Sequence, residues 1–166
     1  MSTLPRLPVL VSVLVLAAGG CSSATEAELV IDELERAEAL WLEKRPVSYT
    51  ALERRSCFCT PASTRPIVIE VTRRQGATVP SGTEAITAAT YFDDGEPVPD
   101  EVRQLLRPAD ALFDEIREAA EAGAHAIEAV YDPELGYPRS VFIDREAGIA
   151  DDEIGWSFEL LVPPGT

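Results

Sequence analysis

The chain has 166 residues, enough for one domain and a short targeting segment, with 14 basic and 29 acidic residues and a formal net charge of −15. That charge argues against nucleic acid as a partner, because phosphate neutralisation dominates such binding, and against charge-driven adsorption to an anionic membrane. One histidine and three cysteines fall short of the Cys and His sets that common zinc sites draw on. No metal or cofactor is expected.

Residues 1–20 read as a signal peptide, 21–24 as a lipid-anchored tether and 25–166 as a single α+β domain. Arg6 precedes an apolar, uncharged run, Leu7–Leu16. That run is shorter than the ~20 residues of a spanning helix and suits a secretory signal. It ends Ala17-Ala18-Gly19-Gly20-Cys21, and small residues directly before a cysteine resemble a bacterial lipobox. Ala18 stands where such boxes usually carry Leu. The expectation is export, acylation of Cys21 and a domain held outside the cytoplasm at a membrane.

Thr25-x-x-Glu28 is a capping-box pattern, and Val30, Leu34, Ala37 and Trp41 lie on one helical face. Pro46 bounds this first helix, about Thr25–Lys44. Val47–Arg55 reads as a strand leading into Cys57-Phe58-Cys59, and Pro61–Pro66 as loop. Ile67–Arg73 alternates cleanly and precedes a turn at Arg73–Gly76, with Ala77–Val79 beginning the return. Ala85–Tyr91 is a weaker strand. Asp100–Ala122 is a second helical zone, broken at Pro108, with Leu112, Phe113, Ile116 and Ala120 inward and Gly123 as its stop. Ala126–Tyr131 and Arg139–Asp144 flank a turn, Tyr-Asp-Pro-Glu-Leu-Gly-Tyr-Pro. Glu153–Val162 closes the sheet, with Ile154, Trp156, Phe158 and Leu160 on one face. The expected fold is α+β: two helices on one face of a mainly antiparallel sheet of five to six strands, in the order α-β-β-β-α-β-β-β.

Three groups are candidates for chemistry. The turn residues Tyr131, Asp132, Gly136, Tyr137 and Pro138 form either a well-specified hairpin loop with packed tyrosines or a recognition surface. Asp144, Asp151, Asp152 and Glu153 bracket an acidic turn. They are read as solvated, against the alternatives of a calcium cluster, which lacks EF-hand spacing, and a glycosidase-like pair. Cys57 and Cys59 are read first as a disulfide, then as inert thiols, metal ligands or a nucleophile. On an extended strand their Cα atoms would stand about 6.6 Å apart, so a bridge requires a bend. Arg54 and Arg55 are taken as exposed, and His125 as a surface histidine.

The set C-F-C, F-D-E-I, Y-D-P-E-L-G-Y-P, F-I-D and D-D-E-I, spanning about Trp41 to Leu160, resembles a family of bacterial lipoproteins catalogued as domain of unknown function six-one-seven-four. The resemblance implies an exported, often lipid-anchored small α+β domain and no particular activity. The functional expectation is a non-enzymatic module binding an envelope protein or peptide. The alternative is a thiol-redox, metal-binding or hydrolytic protein using Cys57 and Cys59 or the acidic turn.

Overall fold

The computed structural model describes residues 26–73, 84–149 and 151–161. Cys21, the signal and tether, Thr25 of the capping box, the turn and return strand expected over 74–79, and Val162 lie outside them. Among the described residues no helix is long and apolar enough to cross a membrane.

The elements follow the expected order, with a one-turn helix added after the first strand and the second helical zone divided at Pro108. They are α1 (Glu26–Lys44), β1 (Ser48–Cys57), α2 (Pro61–Thr64), β2 (Ile67–Arg73), β3 (Glu84–Tyr91), α3 (Asp100–Arg103), α4 (Ala109–Glu121), β4 (Ala126–Tyr131), β5 (Pro138–Asp144) and β6 (Ile154–Leu160). The Pro61–Pro66 stretch is therefore not all loop: Pro61 pre-sets φ for the first turn of a short helix. Pro108 separates α3 from α4, because a proline cannot continue the hydrogen-bond ladder of a preceding turn.

The six strands form one sheet in the order β3-β2-β1-β6-β5-β4, and every pairing is antiparallel. Two three-stranded meanders thus join along β1 and β6. Helices α1 and α4 pack on one face. Leu34, Ala37 and Trp41 of α1 and Leu112, Phe113 and Ile116 of α4 meet Ile67, Ile69 and Val71 of β2, Val141 and Ile143 of β5, and Trp156 and Phe158 of β6. The period-2 pattern of the last strand therefore has the expected register, with Glu159 and Ser157 turned to solvent.

A polar network crosses this core. Arg45 pairs with Asp110 at 2.8 Å, both side chains nearly sealed, and Trp41 Nε1 donates to the same carboxylate. Tyr49 donates to Glu84 and accepts from the Ala109 amide, tying β1 and β3 to the start of α4. Burial and the neighbouring Asp110 push the Glu84 carboxyl up to about 7.

Candidate functional site

The β1–β6 pairing decides where the chemistry gathers. Arg55 lies opposite Trp156 and Cys57 opposite Ile154, so the end of β1 runs beside the start of β6. This register sets C-F-C against the acidic turn that opens β6. Together they wall a cavity of about 360 Å³, shared with Arg107 just before α4, Glu115 on α4 and Arg145 after β5.

Cys57 and Cys59 are joined as a disulfide, with Cα atoms 5.2 Å apart. The bend that this spacing requires is present: the Cys59 amide donates to the Cys57 carbonyl at 2.8 Å, a turn of the kind that ends strands. Phe58 stands between them, 88% exposed, at the lip. Strand parity explains the floor. Tyr49 and Ala51 face the helices, so Glu53, Arg55 and Cys57 do too.

Arg55 therefore departs from expectation: Arg54 is exposed, whereas Arg55 is half-buried and lines the cavity. Its Nε and Nη1 are shut from solvent and have no hydrogen-bond partner. Burial, and then repulsion from Arg107, hold its guanidinium below the usual arginine range. Arg107 Nε donates to Glu115 at 2.8 Å, and Arg145 approaches the same carboxylate at 3.6 Å. Glu53, 1% exposed, accepts from the Arg107 amide at 3.1 Å, and burial pushes its carboxyl up to about 8. Glu53 and then Glu115 pull the Arg55 guanidinium the other way, without offsetting burial and Arg107.

The candidate recognition surface divides. Gly136, Tyr137 and Pro138 are buried, and Gly136, with Tyr131 and Asp132, lines an open cleft of about 410 Å³ against α1. Tyr137 sits in an aromatic cluster, edge-on to Trp41 and Phe158 at 5.9 Å each. Gly136 has φ +86°, and a Cβ there would fall 2.2 Å from the Ala37 carbonyl, so the turn is pressed onto α1. Asp132 accepts from the Glu134 and Leu135 amides, the Asx-turn expected of it. Tyr131 is half-buried and stacks on Phe113 at 6.1 Å.

Asp144 closes the far end of the seven-residue β5, about 20 Å from Pro138 at ~3.3 Å per residue. The tyrosine turn and the acidic turn are therefore two places, not one. Asp151, Asp152 and Glu153 line the cavity and Asp144 does not. Among the described residues no group of three or more His, Cys, Asp or Glu side chains is placed to hold a metal ion. His125 is exposed and lies outside the cavity lining.

Arg55, Arg107, Glu115 and Arg145 were not foreseen as site residues. Only the parity of β1 pointed to Arg55. The other three arrive through long-range packing.

Residues 33–163 match a family of unknown function, DUF6174. The chain belongs to that family. No curated protein and no solved structure is matched. Two stretches that carried the resemblance, C-F-C and D-D-E, are the ones that meet at the cavity of this DUF6174 domain.

Proposed function

We propose that this DUF6174 chain is an exported domain, anchored at a membrane by lipid on Cys21, that works as a non-enzymatic binding module. The anchor rests on the short apolar run and the Ala-Gly-Gly-Cys ending. The binding reading rests on one observation: a cavity open to solvent and lined by both basic and acidic side chains. Among the described residues its lining carries no hydroxyl or imidazole group to form a nucleophile–base pair. Two or more acyl chains at one cysteine would hold the domain far more firmly than one.

Expressed in its bacterium, the protein should incorporate a palmitate probe and partition into detergent, and Cys21→Ser should do neither. A Cys21→Ser variant that still labels and stays membrane-bound overturns the anchor.

A second reading, thiol–disulfide exchange, is favoured by the surface position of the bridge, with Cys59 exposed. A thiolate of a reduced partner would attack one sulfur, form a mixed disulfide and release the other sulfur as thiolate. Incubation with a reduced dithiol peptide tests it: peptide oxidised in step with reduction of Cys57–Cys59 supports exchange, and an unchanged peptide removes it.

A further inference from the structure

We propose that the groove between β4 and α1 binds an extended peptide of alternating apolar and basic residues, which joins the sheet as a further strand beside β4. This names a partner for the binding-module reading at a site that shares no lining residue with the C-F-C cavity.

The open sheet has two edges, β3 and β4. An edge strand presents unpaired amides and carbonyls, and proteins commonly cover or blunt it. The β3 edge is covered. The Val98 amide donates to the Ala89 carbonyl, the Tyr91 amide donates to the Glu96 carbonyl, and Thr90 bridges to Pro97. Arg103 Nη2 donates to the Ile86 carbonyl at 2.9 Å. Among the described residues nothing bonds the β4 edge in this way. Its parity is set by His125, whose amide donates inward to the Arg145 carbonyl. By alternation Ile127 and Ala129 bond β5, and the amides and carbonyls of Ala126, Glu128 and Val130 point away from the sheet. Glu128 is exposed, and Val130 is 58% exposed.

Helix α1 runs alongside this edge. Glu33, Arg36, Ala37 and Leu40, at helical spacing, wall one side of the open cleft of about 410 Å³, and Ala129, Val130 and Tyr131 wall the other. An edge strand beside a groove suits strand addition: main-chain bonds hold the peptide, and the groove takes alternate side chains. Side chains of one parity would lie over Ala37, Leu40 and Ala129, which favours apolar residues there. Those of the other parity would stand on the open face of the sheet beside Glu128. Charge selects basic residues for that parity. The chain carries a formal net charge of −15. The groove itself has Glu33 and Asp132 against Arg36, which lies 3.9 Å from Asp32. The same charge disfavours a second copy of this chain on the edge, because two acidic surfaces would meet.

The test is NMR amide exchange and titration of the mature chain carrying Cys21→Ser. The probes are a blocked heptapeptide of alternating lysine and valine and its glutamate–valine counterpart. In the free chain the Glu128 and Val130 amides should exchange fast, and those of Ile127 and Ala129 slowly. The lysine peptide should bind saturably and slow Glu128 and Val130, and the glutamate peptide should bind at least tenfold more weakly. Val130→Pro removes an outward amide that the ladder does not use, a change edge strands tolerate. It should weaken the lysine peptide roughly fivefold, the scale of one net hydrogen bond. Glu33→Gln, an exposed change with no bearing on folding, should narrow the gap between the two peptides. No saturable binding overturns the proposal, as does binding that leaves Glu128 and Val130 exchanging fast. Equal affinities for the two peptides, or an unchanged affinity in a folded Val130→Pro, also overturn it. Slow exchange at Glu128 and Val130 in the free chain would show the edge already covered, by a copy if the chain sediments as a dimer and by its own segment otherwise, and either result overturns the proposal. Failure here leaves the Cys21 anchor and the C-F-C cavity standing, since neither enters the measurement.

Discussion

Replacing Glu53 with Gln isolates the cost of a carboxyl buried at the join of the two meanders. Glu53 is 1% exposed, and its carboxyl is raised from 4.5 to about 8, first by burial and against the opposing pull of the Arg107 amide, Arg107 and Arg55. A raised folded-state value means that the folded chain keeps a proton which the unfolded chain releases. Its contribution to stability is full below about pH 4.5 and is lost as pH rises through about 8. At ~1.4 kcal/mol per pKa unit, the loss between about pH 5 and about pH 8 is about 3–4 kcal/mol. Gln cannot ionise and still offers an oxygen to the Arg107 amide, so Glu53→Gln should be flatter with pH by that amount and more stable than wild type at the alkaline end. Glu84, also raised, is present in both proteins and cancels in the difference. Urea unfolding of the mature chain carrying Cys21→Ser, with and without Glu53→Gln, measures this at the two pH values. Parallel pH profiles for the two proteins would refute the reasoning.

Gly136→Ala places a Cβ against the α1 backbone at positive φ and should cost at least about 2 kcal/mol in urea unfolding; a loss under half of that would show that the turn can lift off α1. Asp110→Ala removes the carboxylate from the nearly sealed Arg45–Asp110 pair and should cost about 3–5 kcal/mol. The exposed Arg36–Asp32 pair at 3.9 Å is the control, since Asp32→Ala should cost under about 1 kcal/mol; equal losses at the two sites would contradict the burial argument.

Much of the fold was legible because burial on one face imposes a period. Ile154, Trp156, Phe158 and Leu160 alternate with polar residues, and Leu34, Ala37 and Trp41 recur at helical spacing. Neither pattern says which strands become neighbours. The pairing of β1 with β6 joins residues about a hundred positions apart, and only that pairing brings Cys57 beside Ile154 and Arg55 beside Trp156. The cavity was invisible for that reason. Tyr137 stood between two readings for a related one: a tyrosine in a turn packs or protrudes according to what lies beneath it, and here it packs on Trp41 of a distant helix.

The intact mass of the protein, extracted with detergent from its own cells and alkylated without reductant, tests the exported, anchored state most directly. The account predicts a chain beginning at Cys21, carrying acyl chains there and taking up no alkyl group at Cys57 or Cys59. A chain that retains residues before Cys21, or carries no lipid, would contradict the anchor, and alkylation at both Cys57 and Cys59 would contradict the bridge at the lip of the cavity.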